Sequence, residues 1–395
     1  MAVIYCNADL ASGSDDGTSE ANAWQTVAEG ITAINNAAAG STLYIKRTSS
    51  RIDEGVLTIT GNGDDQNCTT IVGYTSTITD AGMFEYGNAW TVTGDYVTVK
   101  NLDLLMSSST QVFLAETTSE KCHLHNCKIY NTRTGSAYGA LNIKAAAVVE
   151  NCEIVSDQSS SSTSRGAIAT NWGVGFVVSG CVIRGGNGIG ALPYYTGFHI
   201  EGNIFCNAPN KDMHTGMYLD LMSGSNAATE SSITNNTIIT TKYGVRFVEI
   251  QAENRSNNCL VKNNLIHANG SNETTIVIRG NPITFPNTVA GIYNLGTTAT
   301  TGISIVGNAI GNCGGTDRHI VGFSTTNSTI DNTDLTADPF VDKTNEDFRL
   351  NGTAGGGAAC RASASPTTFK NMSYTNRRSI GAVGHAGLVE RVSAG

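Results

Sequence analysis

Asn126-Cys127-Lys128-Ile129 and Asn151-Cys152-Glu153-Ile154 are one phrase written twice. The phrase is an Asn or Gly, then Cys or a small polar residue, then any residue, then an apolar one. It returns as Gly180-Cys181-Val182-Ile183, Gly202-Asn203-Ile204-Phe205, Asn235-Asn236-Thr237-Ile238, Asn263-Asn264-Leu265-Ile266 and Gly307-Asn308-Ala309-Ile310. Asn101-Leu102-Asp103-Leu104 is a degenerate earlier copy. Successive second positions lie 25, 25, 29, 22, 33, 28 and 44 residues apart. A repeat of this length marks a solenoid. The last interval holds either one repeat with an insertion or two repeats.

Short alternating segments flank each phrase, such as Phe176-Val177-Val178-Ser179 before it and Leu265-Ile266-His267 after it. Their period is 2, which reads as strand. The Asn or Gly between two segments marks a bend that needs left-handed or bridge backbone. Stacked coils place equivalent residues about 4.8 Å apart. Cys127, Cys152 and Cys181 then form one inner column that Asn203, Asn236, Asn264 and Asn308 continue. Small thiols fill a tight corner, and stacked amides bond up and down the column. The fold expected is all-β, a single-stranded right-handed parallel β-helix with a short N-terminal capping helix and an irregular C-terminal cap. Three regions are expected: 1–45, an N-terminal strand and helical cap; 46–330, the β-helix; 331–395, a C-terminal cap and tail. Val27, Ala28, Ile31 and Ile34 suit an amphipathic helix over the first coil, with Gly40 to Lys46 as the first core strand.

Composition agrees. Only 14% of the 395 residues are charged, against about 25% in ordinary soluble proteins. Ser, Thr, Asn and Gly carry the polar share, which disfavours a helical protein. The net charge of -9 is scattered, so nucleic-acid binding through a basic surface is not expected. No signal-peptide pattern and no run of 18 apolar residues occurs, so synthesis in a cytoplasm without membrane insertion is expected. In such a chain the ten cysteines read as free buried thiols.

The opening, Asp15-Asp16-Gly17-Thr18 to Trp24 and then Gly40-Ser-Thr-Leu-Tyr-Ile, resembles the start of many bacterial and phage parallel β-helix repeat proteins of pectate-lyase-like architecture. The closing Asp338-Pro-Phe-Val-Asp, Asp347-Phe-Arg-Leu and Ile380-Gly-Ala-Val resembles their end. Gly73-Tyr74-Thr75-Ser76-Thr77-Ile78-Thr79-Asp80-Ala81-Gly82 resembles a segment of β-helix proteins encoded beside phage structural genes, with Ile78 in place of that segment's Pro. The group is functionally mixed, so the resemblance speaks to fold before function. It implies a bacteriophage virion protein, most directly a capsid decoration or cement protein, or a short tail-associated spike. It further implies a homotrimer that meets the major capsid protein or another virion protein, with a host surface glycan as a further partner. No cofactor and no metal are expected.

Two other readings stay open. A polysaccharide lyase or glycoside hydrolase needs converging carboxylates, or a base beside a cation. The densest polar cluster is Lys211, Asp212, His214, Tyr218 and Asp220, with Lys242, Tyr243, Arg246 and Glu249 one repeat later. The catalytic candidates on that reading are Asp212, His214, Tyr218, Asp220, Arg246 and Glu249. The plainer reading is a solvated face with ordinary ion pairs. A carbohydrate-binding adhesin would use exposed aromatics, for which Tyr194, Tyr195, Tyr218 and Tyr243 are candidates. His123 and His125 share one side of a strand, but no ligand set completes a metal site. Asp334, Asp338 and Asp342 suit turns as well as Ca²⁺. No phosphate-binding loop, zinc-protease helix or serine-hydrolase elbow occurs.

Overall fold

The computed structural model describes residues 1–80, 82–106, 114–115, 121–131, 139–143, 147–156, 166–170, 175–191, 197–208, 213–219, 231–240, 243–247, 259–268, 275–278, 281–284, 290–294, 303–311, 320–321, 328–343 and 347–363. The chain winds as the expected right-handed parallel β-helix. Each full coil contributes a strand to each of three faces.

The first face runs by parallel pairing through Val3–Cys6, Thr42–Lys46, Thr69–Tyr74, Val97–Lys100, Cys122–His125, Ala147–Glu150, Phe176–Ser179, His199–Glu201, Ser231–Thr234 and Cys259–Lys262. It ends on the first halves of Ile303–Gly311 and Ser328–Leu335. The second face begins at Phe84–Tyr86 and continues through Leu102–Met106, Lys128–Asn131, Glu153–Ser156, Val182–Arg184, Ile204–Cys206, Thr237–Thr240 and Leu265–Ala268. The third face is a separate sheet from Leu57–Ile59 to Ile320–Val321. The interval from Asn264 to Asn308 is one coil with an insertion, because an antiparallel hairpin, Thr275–Ile278 with Asn281–Thr284, sits between the second-face and third-face strands.

Alternation decides what goes inside. Leu124, Val149, Val178, Ile200, Ile233, Val261 and Ile305 stack inward in register and are buried. Each fully buried aliphatic contributes about 2 kcal/mol, and no coil can bury its own inner side alone. The bend between the first and second faces is left-handed, as its Asn or Gly requires. Asn101, Asn126, Asn151, Asn235 and Asn263 hold φ of 52° to 60°, and Gly180, Gly202 and Gly307 hold 62° to 65°.

The first core strand is Val3–Cys6, one coil before Gly40–Lys46. Ile4 and Cys6 point inward and Val3–Cys6 pairs with Thr42–Lys46, so the very start of the chain joins the stack. Its open edge is sealed by residues 15–24. Tyr5 N–H donates to Gly17 O at 3.0 Å, Trp24 N–H to Tyr5 O at 2.9 Å and Asn7 N–H to Trp24 O at 2.8 Å. Gly17 sits at φ 69°, and a Cβ there would lie 2.3 Å from the Trp24 indole nitrogen. The Asp-Asp-Gly-Thr…Trp motif is thus the device that closes the sheet edge.

Helix α1, Val27–Asn35, then covers the end of the core with Val27, Ile31 and Ile34. Thr26 and Glu29 form a capping box, and the Glu54 carboxylate accepts from Val27 N–H at 3.0 Å and Ala28 N–H at 2.7 Å. At the other end, Phe340–Asp342 pairs antiparallel with Asp347–Leu350, and helix α2, Gly357–Ser363, follows. This segment lies along the outside of the second face as well as past the last coil. Phe340, Phe348 and Cys360 join outward-pointing Leu265, Ala309 and Leu335 in a second apolar cluster.

Candidate functional site

The inner corner column is a continuous polar ladder among the described residues, and its chemistry is structural. Cys127 N–H donates to Cys152 Sγ and Cys152 N–H to Cys181 Sγ, both at 3.4 Å. Cys181 N–H then donates to Asn203 Oδ1 at 2.8 Å. From there the amides repeat one pattern. Asn203 N–H and Nδ2 both reach Asn236 Oδ1, and the second Nδ2 hydrogen reaches Val178 O one coil back. Asn236, Asn264 and Asn308 do the same toward the next amide. The column ends on Asn332, which the repeat phrase does not reveal because Asp334 stands where the phrase has an apolar residue. All nine described cysteines are free, and Cys68 is the exposed one among them. Burial pushes the Cys127 and Cys152 thiols well above the ordinary range. These are packing thiols rather than nucleophiles.

Outward from this corner, the first face carries a described cluster of acid–base side chains. Lys100, His125, Glu150, Ser179 and Glu201 follow one another in a single register column. His123 Nε2 lies 3.1 Å from Glu150 Oε2, and Ser179 Oγ lies 3.5 Å from Glu150 Oε1. The His123 and His125 rings meet edge to face at 5.9 Å, and His125 Nε2 lies 3.3 Å from Asn151 Nδ2. Burial, with His123 and Lys100 beside it, holds the His125 pKa below the usual imidazole value. Burial also raises the Glu201 carboxyl. The cluster therefore sets a neutral imidazole, a carboxylate–imidazole pair and an ammonium on neighbouring coils. No ligand set of three or more His, Cys, Asp or Glu is gathered among the described residues.

Of the catalytic candidates, His214, Tyr218 and Arg246 fall on strands of the third face. Asp212, Asp220 and Glu249, with Lys211 and Lys242, lie outside the described residues, as do Tyr194 and Tyr195. Tyr218 of Met213–Leu219 is in register with Arg246 of Tyr243–Phe247, which is in register with Tyr293 of Ala290–Asn294. His214 precedes Thr215, where the pairing with Gly186–Ala191 shifts register. The topology thus brings Tyr218 and Arg246 to adjacent coils and adds Tyr293, a partner that sequence spacing did not offer. Asp338 accepts from Phe340 N–H at 2.9 Å and pairs with Lys343 at 3.3 Å, so it serves a turn.

The Gly73–Gly82 segment also has a structural explanation. The Asp80 carboxylate accepts from the N–H groups of Thr75, Ser76 and Thr77 at 2.7, 2.6 and 3.0 Å. Those bonds hold its pKa far below the usual carboxylate range.

Three stacked faces, a sealed N-terminal edge and an inner polar ladder define a parallel β-helix, an architecture shared by enzymes and structural proteins. The chain matches no family model and no curated protein. Solved structures do match. Pectate lyase Pel9A superposes with a TM-score of 0.58 at 14% identity, over 97% of this chain and 96% of that one. A rhamnogalacturonan lyase gives 0.52 at 12% identity, over 87% and 91%. The Dettilon tailspike protein gives 0.45 at 15% identity, over 84% of this chain and 68% of that one. At such identities the likeness is one of fold.

Proposed function

We propose that this chain is a non-catalytic structural protein of a bacteriophage particle, a capsid decoration protein or a short tail-associated spike. On this reading it is made in the host cytoplasm and displayed as a homotrimer on the virion surface, against the major capsid protein or another virion protein. The observation that carries the reading is the continuous corner ladder from Cys127 to Asn332, together with the N-terminal cap that seals the first edge. A rod closed in this way resists fraying and proteolysis, which suits exposure outside a cell. The resemblance of Gly73–Gly82 to a segment of β-helix proteins encoded beside phage structural genes points the same way. The test is mass spectrometry of purified particles made from the encoding genome. The chain is expected at a fixed copy number per particle; its absence overturns the reading.

A second reading, a polysaccharide lyase, is favoured by one specific observation. The described His123–Glu150 pair lies beside His125 and Lys100 on a fold shared almost end to end with a pectate lyase. A neutral imidazole can take a proton next to a uronate carboxylate, and an ammonium can neutralise that carboxylate. Incubation with pectate and rhamnogalacturonan, followed by the ultraviolet absorbance of unsaturated uronides, tests it. Product that disappears in His125→Ala and falls in Lys100→Ala supports a lyase; no product sinks it.

A further inference from the structure

One outward column of the second face changes character along the rod. It reads Glu85, Asp103, Lys128 and Glu153, and then Val182, Ile204, Thr237, Leu265 and Ala309. The charged residues are half-buried and the later ones are buried. Phe340, Phe348 and Cys360 cover Leu265, Ala309 and Leu335. They belong to a C-terminal segment, 338–343 with 347–363, that is built as a unit. Phe340–Asp342 and Asp347–Leu350 pair in a sheet of their own, apart from the three faces. Asn351 closes that unit, donating from Nδ2 to Asp338 O and Phe340 O at 2.8 and 2.7 Å and from N–H to Pro339 O at 2.9 Å. The corner ladder reaches Asn332 before the segment begins, so the coils are tied together without it.

His267 is buried beneath the segment, edge to face with Phe340. Its Nδ1 has no hydrogen-bond partner among the described residues. Lys343 and Asp338 act on the ring from the segment and pair with each other at 3.3 Å. The flanking strands, Thr237–Thr240 and Ile303–Gly311, carry no ionisable side chain. Ser328–Leu335, one coil further, has Asp331 and Asp334. On the segment itself Asp347 and Arg349 bond to each other, and Asp342 and Arg361 complete its described charges.

We infer that this C-terminal segment is a strap that the second face releases in acid, with His267 as the trigger and Leu265, Ala309 and Leu335 as the surface laid bare. A proton on the buried imidazole finds no acceptor at Nδ1 and faces the Lys343 ammonium. In the released state water solvates the same proton, so acid favours release. Burial first, and then Lys343, hold the ring down from 6.5 to about 4 while the strap is on, against the pull of Asp338. A group lowered in the closed state loses its contribution to closure as pH falls through 6.5 toward 4, and the opening constant rises about 30-fold between pH 8 and pH 5. The strap leaves whole because it keeps its own sheet and the Asn351 bonds. The switch depends on neither reading of function given above.

The experiment is hydrogen exchange on the full chain at pH 8 and pH 5, corrected for intrinsic rates, with Nile red, an uncharged apolar dye, as the probe of the bared strip. Protection of Phe340–Asp342 is expected to fall about 30-fold, that of Ser231–Thr234 to stay, and dye fluorescence to rise reversibly. His267→Leu is expected to abolish both changes. Unchanged protection of Phe340–Asp342 overturns the inference, and so does equal loss at Ser231–Thr234, which is acid unfolding of the whole rod. A freed strap with silent dye overturns the baring of the strip, and a His267→Leu variant that opens like the wild type overturns the trigger. Should His267→Leu misfold, Lys343→Met decides. Removing the ammonium is expected to move release to lower pH, and an unmoved midpoint overturns the trigger.

Discussion

The backbone N–H and the side-chain amide of Asn236 converge on one atom, Asn264 Oδ1, at 3.0 and 2.9 Å. The remaining hydrogen of the Asn236 amide is taken by Ile200 O at 2.9 Å. Every hydrogen-bonding group of this buried side chain is thus matched, and each coil is tied to the one after it and the one before it.

Asn264→Ala is therefore expected to be severe. It leaves Asn236 N–H, Asn236 Nδ2, Ile233 O and Asn308 Oδ1 short of a buried partner. At about 1–3 kcal/mol for each unsatisfied group, the loss is about 3 kcal/mol or more even after relaxation. Cys152→Ala, which removes only weak sulfur bonds and a small volume, is expected to cost about 1–2 kcal/mol. Urea midpoints at constant m compare the two, and equal losses would refute the ladder as a source of stability.

The N-terminal cap depends on a residue remote in sequence. Glu54→Ala removes the acceptor for Val27 and Ala28 N–H and a negative charge at a helix N-terminus. The expected cost is about 1–2 kcal/mol. Hydrogen exchange is expected to quicken in Val27–Asn35 and to stay unchanged at Ser231–Thr234; uniform protection would contradict the assignment.

His267 makes the C-terminal segment acid-sensitive. The ring is 3% exposed and meets Phe340 edge to face at 5.9 Å. Burial first, and then the Lys343 ammonium, lower its pKa from 6.5 to about 4, while Asp338 opposes the shift. The unfolded chain thus binds the extra proton between pH 6.5 and 4 and the native chain does not. Stability from this site is complete above about pH 6.5, falls as pH drops toward 4, and is level below that, a change of a few kcal/mol. Limited proteolysis within 338–363 is expected to accelerate over that window, and His267→Leu to abolish the dependence. A pH-independent cleavage rate in the wild type would rule the mechanism out.

Thiol chemistry separates surface from corner. A disulfide reagent at mildly alkaline pH is expected to modify Cys68 at once and to leave Cys127, Cys152 and Cys181 intact until unfolding, because only Cys68 of these is exposed. Peptide mapping reads the outcome, and early labelling of Cys152 would mean that the corner opens in the native state.

The repeat phrase was legible because stacking makes every coil solve the same problem: a left-handed bend followed by a small residue that can bond to its own kind. Asn126 with Cys127 and Asn263 with Asn264 therefore declare the fold and the ladder without a structure. The acid–base candidates were less legible. Tyr218 and Arg246 are partners through the register in which their strands pair, and His123 meets Glu150 across two paired strands, neither of which a spacing in the sequence announces.

Alternation alone points Leu265 and His267 outward, so local sequence assigns both to solvent. They are buried because a segment some seventy residues later folds back over the second face and places Phe340 and Phe348 against them. In the same way Glu54 reads as a loop carboxylate until the coil brings it under the first turn of α1. The coil, its corners and its inner columns follow from the order of residues along the chain, because those are set by period and by neighbours one repeat away. The tertiary structure decided which outer face is covered and which ends are sealed, because those contacts join segments that share no period.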